Sequence, residues 1–230
     1  IETLGFAGFF GLPFEYVRLG DDDGTNQLPV LLDPQFKVFE GLRCDEHENC
    51  DHKVDEQRSQ IRGIRYLWKT FQTSAISCFA FVETTGFFYA WKLLARTLGS
   101  AETGTQFDGV SSSDQAQFGP TFRGLSNQGV TTRQQVDMAE SILKGTGLTR
   151  DLASLVVFCG HGASTENNPL QAGLDCGACA GHTGEANARF AAMLLNQPYV
   201  RQGLLERGIA ILSETHFLAG LHNTTTDEIQ

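Results

Sequence analysis

Five residues with metal-binding or thiol chemistry crowd one glycine-rich stretch: His161, Asp175, Cys176, Cys179 and His182. Glycine permits the tight turns needed to bring such groups onto one ion. Imidazole nitrogen with thiolate sulfur is the donor mixture that zinc prefers in a tetrahedral site. Three arrangements are open. Cys176, Cys179 and His182 with His161 can close a structural zinc site, making the chain a non-enzymatic, zinc-stabilised interaction module. Cys176-Gly177-Ala178-Cys179 can be a redox pair, although such a motif ordinarily opens a helix directly and Gly181-His182-Thr183-Gly184 intervene here. In the third arrangement only His161 and Cys176 bind metal, and the other ligands come from elsewhere in the protein. The plain alternative makes Cys176 and Cys179 small buried residues and His161 a turn cap.

Other reactive residues are less pointed. Cys44, His47, Cys50 and His52 could bind zinc, but their spacing matches no standard knuckle, and the interleaved carboxylates describe a solvated acidic loop. Cys159 reads as a packed core thiol, and His216 and His222 as members of a polar network or as surface residues. Asn167-Asn168-Pro169 reads as a turn.

The elements that must position the cluster follow from periodicity. Residues 1–40 alternate apolar clusters with the turn signals Gly11-Leu12-Pro13, Asp21-Asp22-Asp23-Gly24 and Asp33-Pro34, which predicts short strands and loops. Residues 41–57 are charged and apolar-poor, hence an exposed loop. Ile61, Ile64, Leu67, Trp68 and Phe71 are helically spaced. A strand over Ile76–Val82, a helix over Phe87–Leu98 and a loop insertion over 99–129 come next. Thr131 or Thr132 can cap a helix whose apolar face is Val136, Ala139, Ile142 and Leu143, ended by Gly145 and Gly147. Leu155-Val156-Val157-Phe158 suits a strand buried on both faces. Its end delivers His161, and a polar loop runs to about Gly184. Helices over Ala186–Asn196 and Pro198–Arg207 and a strand over Ile209–Leu212 complete an α/β order. In such sheets ligands sit beyond the carboxyl ends of the strands.

Composition bounds the function. At 230 residues, 41% hydrophobic and 19% charged, the chain is an ordinary globular sequence of one α/β domain. A formal charge of −10 argues against non-specific nucleic-acid binding, and also against direct electrostatic attraction to an anionic membrane surface. Six cysteines are too few for a disulfide scaffold and read as reduced thiols. The apolar window Ile76–Ala95 holds Glu83 and Lys92, which suits a spanning helix poorly. The chain opens at Ile1-Glu2-Thr3-Leu4 without methionine and is expected to be a fragment.

Several long motifs carry a resemblance. Glu2-Thr3-Leu4-Gly5-Phe6-Ala7-Gly8-Phe9-Phe10-Gly11, Leu155-Val156-Val157-Phe158-Cys159-Gly160-His161-Gly162, Asn167-Asn168-Pro169, Leu174-Asp175-Cys176-Gly177-Ala178-Cys179, Asn187-Ala188-Arg189 and His222-Asn223-Thr224-Thr225-Thr226-Asp227 resemble, in this order, the DAB-type (DabA) inorganic-carbon subunit of bacteria. Residues 41–57 and 99–120 match weakly. The resemblance implies a β-carbonic-anhydrase-like (Rossmann-like), mostly parallel sheet flanked by helices. It implies that residues 1–230 are the C-terminal part of that domain, incomplete at the N-terminus, with loop insertions at 41–57 and 99–129.

It further implies one Zn2+ held by His161 and Cys176 together with a cysteine and an aspartate from an upstream Cys-x-Asp-x-Arg motif that this chain does not carry. Asp175 becomes a candidate for orienting a ligand, although a turn-forming aspartate accounts for it as well. Cys179 and His182 remain the alternative ligands. The family's zinc-bound hydroxide would hydrate CO2 to bicarbonate, a carbonic-anhydrase-like lyase activity of the whole complex that this fragment is not expected to show by itself. The implied partner is a membrane-embedded, proton-conducting subunit related to the antiporter-like subunits of respiratory complex I. The implied location is cytoplasmic, peripheral on the inner face of the bacterial membrane through that partner.

Overall fold

Residues 1–40 form strands and loops, as their turn signals predict. Strand β1 (Phe14–Val17) turns back through Asp21–Gly24 into β2 (Thr25–Asn26), and β3 (Phe36–Leu42) runs parallel to β1 with Phe14 opposite Phe36. The structure is a computed structural model that describes residues 1–42, 48–98, 118–165 and 168–230. The chain divides into two compact units, Ile1–Arg43 with Phe118–Gln230 and Cys44–Gln117.

The first unit holds both sheets. Strand β4 (Phe118–Pro120) pairs antiparallel with β3 and completes the order β2-β1-β3-β4. Helix α3 (Thr132–Thr146) follows the sequence reading closely. Thr131 caps it in a reciprocal capping box with Gln134, Val136, Ala139, Ile142 and Leu143 are buried, and Gly147 closes it with φ 78°. Gly145 lies inside this helix instead of ending it, because a Cβ there would meet the Phe6 ring at 3.0 Å.

Strand β5 (Leu155–Gly162) extends through the Cys-Gly-His-Gly motif, so His161 is a strand residue. It pairs in parallel with β6 (His216–Asn223), which pairs antiparallel with β7 (Glu228–Ile229). Helices α4 (Glu185–Leu195) and α5 (Pro198–Glu206) lie where the periodicity put them. Phe158 and Phe217 stack at 6.0 Å, and Phe14, Phe36 and Phe190 pack together in the same core.

Several expectations are corrected. The fold is α/β, but its sheets are mixed: β1/β3 and β5/β6 are parallel, whereas β1/β2, β3/β4 and β6/β7 are antiparallel. The β1–β2 and β6–β7 connections are short, and only antiparallel strands can be joined that way. Strand β5 is not buried on both faces. Leu155 and Val157 remain 55% and 50% exposed, because α4 packs on the opposite face of β5 and β6. The segment Ile209–Leu212 is not a strand. Ile209 closes the end of α5 by donating to the Leu204 carbonyl, and the place beside β5 is taken by His216–Asn223.

The second unit is a helical hairpin, α1 (Glu48–Thr73) and α2 (Cys78–Thr97). Phe81 packs edge-on against Trp68 and Phe71 at 5.3 and 5.5 Å. The loop expected over 41–57 is thus strand at its start and helix from Glu48, since a polar run of Glu, Lys, Gln and Arg is apolar-poor yet strongly helix-forming. The strand expected over Ile76–Val82 is the first turn of α2 and the turn before it. A short apolar run does not by itself distinguish strand from helix. Of the loop expected over 99–129, residues 118–120 are β4 and 126–128 a 3-10 turn, and 99–117 lie outside the described residues. No described helix is long and apolar enough to cross a membrane.

Candidate metal centre

The site is assembled at the carboxyl end of β5. Side chains alternate along the strand, so Leu155, Val157, Cys159 and His161 share the face turned away from α4. The partner strand presents His216, Leu218, Gly220 and His222 in register on that same face, with His161 directly beside His222. Gly160 faces the other way and is needed there. A Cβ on it would lie 2.5 Å from the Gly184 carbonyl oxygen, and the Gly184 amide donates to the His161 carbonyl at 2.9 Å. The glycine therefore lets the start of α4 clamp onto the strand that carries His161. Gly160→Ala is expected to destabilise the chain by about 2 kcal/mol or more, read from its denaturant midpoint. A loss under about 0.5 kcal/mol would show that the clamp yields freely.

Cys176 reaches the site from a knotted turn. Its amide donates to the His182 carbonyl at 3.1 Å, and its carbonyl accepts from Cys179 and Gly181 at 2.9 and 3.0 Å. Gly177–Cys179 is a 3-10 turn rather than the opening of an α-helix, which removes the structural basis for a thioredoxin-like pair. Cys176 and Cys179 are both buried free thiols, whereas the His182 side chain is exposed. Gly8 lies directly on Cys176, since a Cβ there would stand 2.7 Å from the sulfur. Asp175 accepts from the Ala163 amide at 2.8 Å and so ties the Cys176 turn to the segment after β5.

The two thiols differ in charge state. The hydrogen bond from Cys179 pulls Cys176 down to about 6, helped by the charge of His161 and the backbone N–H groups of Ala178 and Cys179 and opposed by burial. Cys179 is driven the other way by the same bond and by burial, so it stays a protonated thiol. Its sulfur also lies 3.7 Å from Asn187 Oδ1. Imidazole nitrogen and thiolate sulfur are the donor types that zinc prefers. Among the described residues no group of three or more His, Cys, Asp or Glu side chains is arranged to hold an ion. Of the rival set, Cys44 and His47 lie outside the described residues, and Cys50 and His52 fall on α1 with their side chains outside what is described.

Sequence reasoning missed several residues that build this site. Fully buried Asn187 donates to the carbonyls of Gln27, Phe9 and Leu12 at 2.9, 3.2 and 3.5 Å, fixing the segment that carries Gly8. Arg189 donates to the Phe118 carbonyl at 2.6 Å. Thr224 donates through its amide to the Gly162 carbonyl and through its hydroxyl to Leu174, and Asn223 donates to Ser164. His222 Nε2 lies 2.8 Å from Asp227 Oδ1. Parts of the motifs that carry Gly8, His161, Cys176, Asn187 and Thr224 thus meet through these contacts, which periodicity could not supply.

A family model described as "Probable inorganic carbon transporter subunit DabA" matches residues 1–230. The chain belongs to the DabA family. Curated DabA relatives agree over the full length of this chain. A probable inorganic carbon transporter subunit DabA2 of Halothiobacillus neapolitanus is 44% identical over 232 residues, and a DabA 1 of Rhodopirellula baltica is 44% identical over 234. A DabA of Acidithiobacillus ferrooxidans is 42% identical over 238 residues. The chain covers 27%, 26% and 29% of these three proteins, so it spans little more than a quarter of the relatives' length. The expectation of a C-terminal part is corrected: the matched stretch does not lie at the relatives' C-terminal end. No solved structure matches the chain.

Proposed function

We propose that this chain supplies half of a zinc site, His161 and Cys176, in a subunit that takes up inorganic carbon by hydrating CO2. The observation that carries the reading is the buried, thiolate-favouring Cys176 beside His161 at a strand's carboxyl end. The donor set fits zinc, which prefers imidazole nitrogen and thiolate sulfur. When bound, zinc supplies Lewis-acid activation of water for attack on CO2. The chain's own residues hold the donors in place. Asp175 and Thr224 fasten the loops, Gly160 admits the clamp on β5, and Asn187 and Gly8 fix the packing behind Cys176.

The site's other ligands would come from the remaining length of the protein. Among the described residues strand β5 is at the edge of its sheet, and its face turned from α4 carries His161, which is where such ligands would arrive. The closed Cys176, Cys179, His161 and His182 module has less behind it, since His182 is exposed and Cys179 stays protonated. The β-carbonic-anhydrase-like kinship, the proton-conducting membrane partner and the peripheral cytoplasmic location belong to this same proposal.

Uptake of labelled inorganic carbon tests it. Cells making the full-length His161→Ala protein with its transport partner should fall to the background of cells lacking the system. Unimpaired uptake would overturn the reading.

A further inference from the structure

The α1–α2 hairpin carries a pattern that neither the fold nor the metal site uses. Both tryptophans of the chain lie on it, exposed, and each is followed by a lysine: Trp68-Lys69 on α1 and Trp91-Lys92 on α2. Between those lysines the only charge is Glu83. Over residues 61–98 there are five Lys or Arg against that single acid, in a chain whose net charge is −10. The whole-chain charge therefore hides a stretch of sequence of opposite sign, which follows the acidic start of α1.

The apolar surface of the hairpin is not confined to one face. Ile76, in the turn between the helices, is 95% exposed. Phe87, Phe88 and Tyr89 are consecutive, step about 100° around the helix from one to the next, and are all exposed. A groove on a protein would cover one side of a two-helix layer, whereas these residues call for an apolar medium around it. The hydroxyls agree with that demand. Thr73, Thr84, Thr85 and Thr97 donate to the carbonyls of Lys69, Ala80, Phe81 and Leu93 within their own helices, and Ser77 donates to Phe71. These groups are satisfied without water.

We propose that the α1–α2 hairpin is a lipid-contacting surface that seats the protein on an anionic bilayer. The hairpin lies along the bilayer surface with its aromatic residues in the headgroup region, and Lys69 and Lys92 reach the lipid phosphates along their apolar stems. Tryptophan beside lysine is the pairing that a membrane–water boundary favours. This inference does not depend on the metal site.

The experiment is co-sedimentation of the full-length protein, purified without its transport partner, with vesicles of phosphatidylethanolamine and phosphatidylglycerol or of phosphatidylcholine alone. The wild type should sediment with the anionic vesicles and much less with the neutral ones, and should be released as NaCl rises from about 0.05 to about 0.5 M. Ile76→Glu with Phe79→Glu should cut the bound fraction about tenfold. Lys69→Gln with Lys92→Gln, which leaves the apolar residues intact, should cut binding to anionic vesicles severalfold. Wild type remaining in the supernatant, or both variants sedimenting like wild type, would overturn the proposal. So would variants that lose attachment only to membranes containing the partner subunit, since the hairpin would then dock on protein.

Discussion

Cys176→Ala in the full-length protein is expected to lower bound zinc at least tenfold, with His161→Ala doing the same and His182→Ala leaving it unchanged. Removing one of four ligands from a site that must keep its metal through purification leaves too little affinity to retain it. The environment of Cys176 gives the prediction a pH signature. The hydrogen bond from Cys179 holds Cys176 down to about 6, so the thiolate dominates above that pH and protons compete with metal below it. Zinc affinity of the metal-free protein should therefore fall by about tenfold or more for each pH unit below about 6. Its dependence on Cys176 should be slight between about 7 and 8. Elemental mass spectrometry after dialysis across this range reads both effects. A Cys176→Ala protein with full zinc would remove Cys176 from the site.

The second large effect is structural. Asn187 is fully buried, and its amide serves the carbonyls of Gln27, Phe9 and Leu12. Asn187→Ala removes the side-chain donor to the Gln27 carbonyl, at about 1–3 kcal/mol if no water replaces it, while the Phe9 and Leu12 carbonyls keep the backbone amides of Leu12 and Phe14. A total loss of about 1–3 kcal/mol is expected from the denaturant midpoint. Asn187→Asp has the same shape but places a carboxylate against three carbonyls and should cost at least as much. Because Phe9 follows Gly8, which rests on the Cys176 sulfur, both variants should also loosen zinc binding. A loss below about 1 kcal/mol in Asn187→Asp would contradict the hub.

What the sequence made legible was local. The capping box at Thr131 and the buried face of α3 are written within one helix, and the β-branched run of β5 marks a strand by itself. Strand β6 was hidden because His216-Phe217-Leu218-Ala219-Gly220-Leu221-His222-Asn223 has no β-branched residue. It is a strand because β5 offers it an edge. Helix α2 agrees with the helix expected over Phe87–Leu98, and only its start departs from the reading, because the short apolar run Ile76–Val82 suits either period. At the site, His161 and Cys176 were chosen by residue type and by resemblance. Gly8, Asn187 and the register of His222 beside His161 are tertiary facts. The distinction between Cys176 and Cys179 depends on which sulfur donates and which accepts, and a Cys-x-x-Cys pattern does not encode that.

Zinc-edge X-ray absorption on the full-length protein and its Cys179→Ser variant tests the central claim most directly. The account predicts a mixed shell with sulfur at about 2.3 Å and nitrogen or oxygen at about 2.0–2.1 Å, identical in both proteins because the proposal places Cys176 on the metal and Cys179 behind it. A shell without sulfur, or one that loses a sulfur in Cys179→Ser, would contradict it.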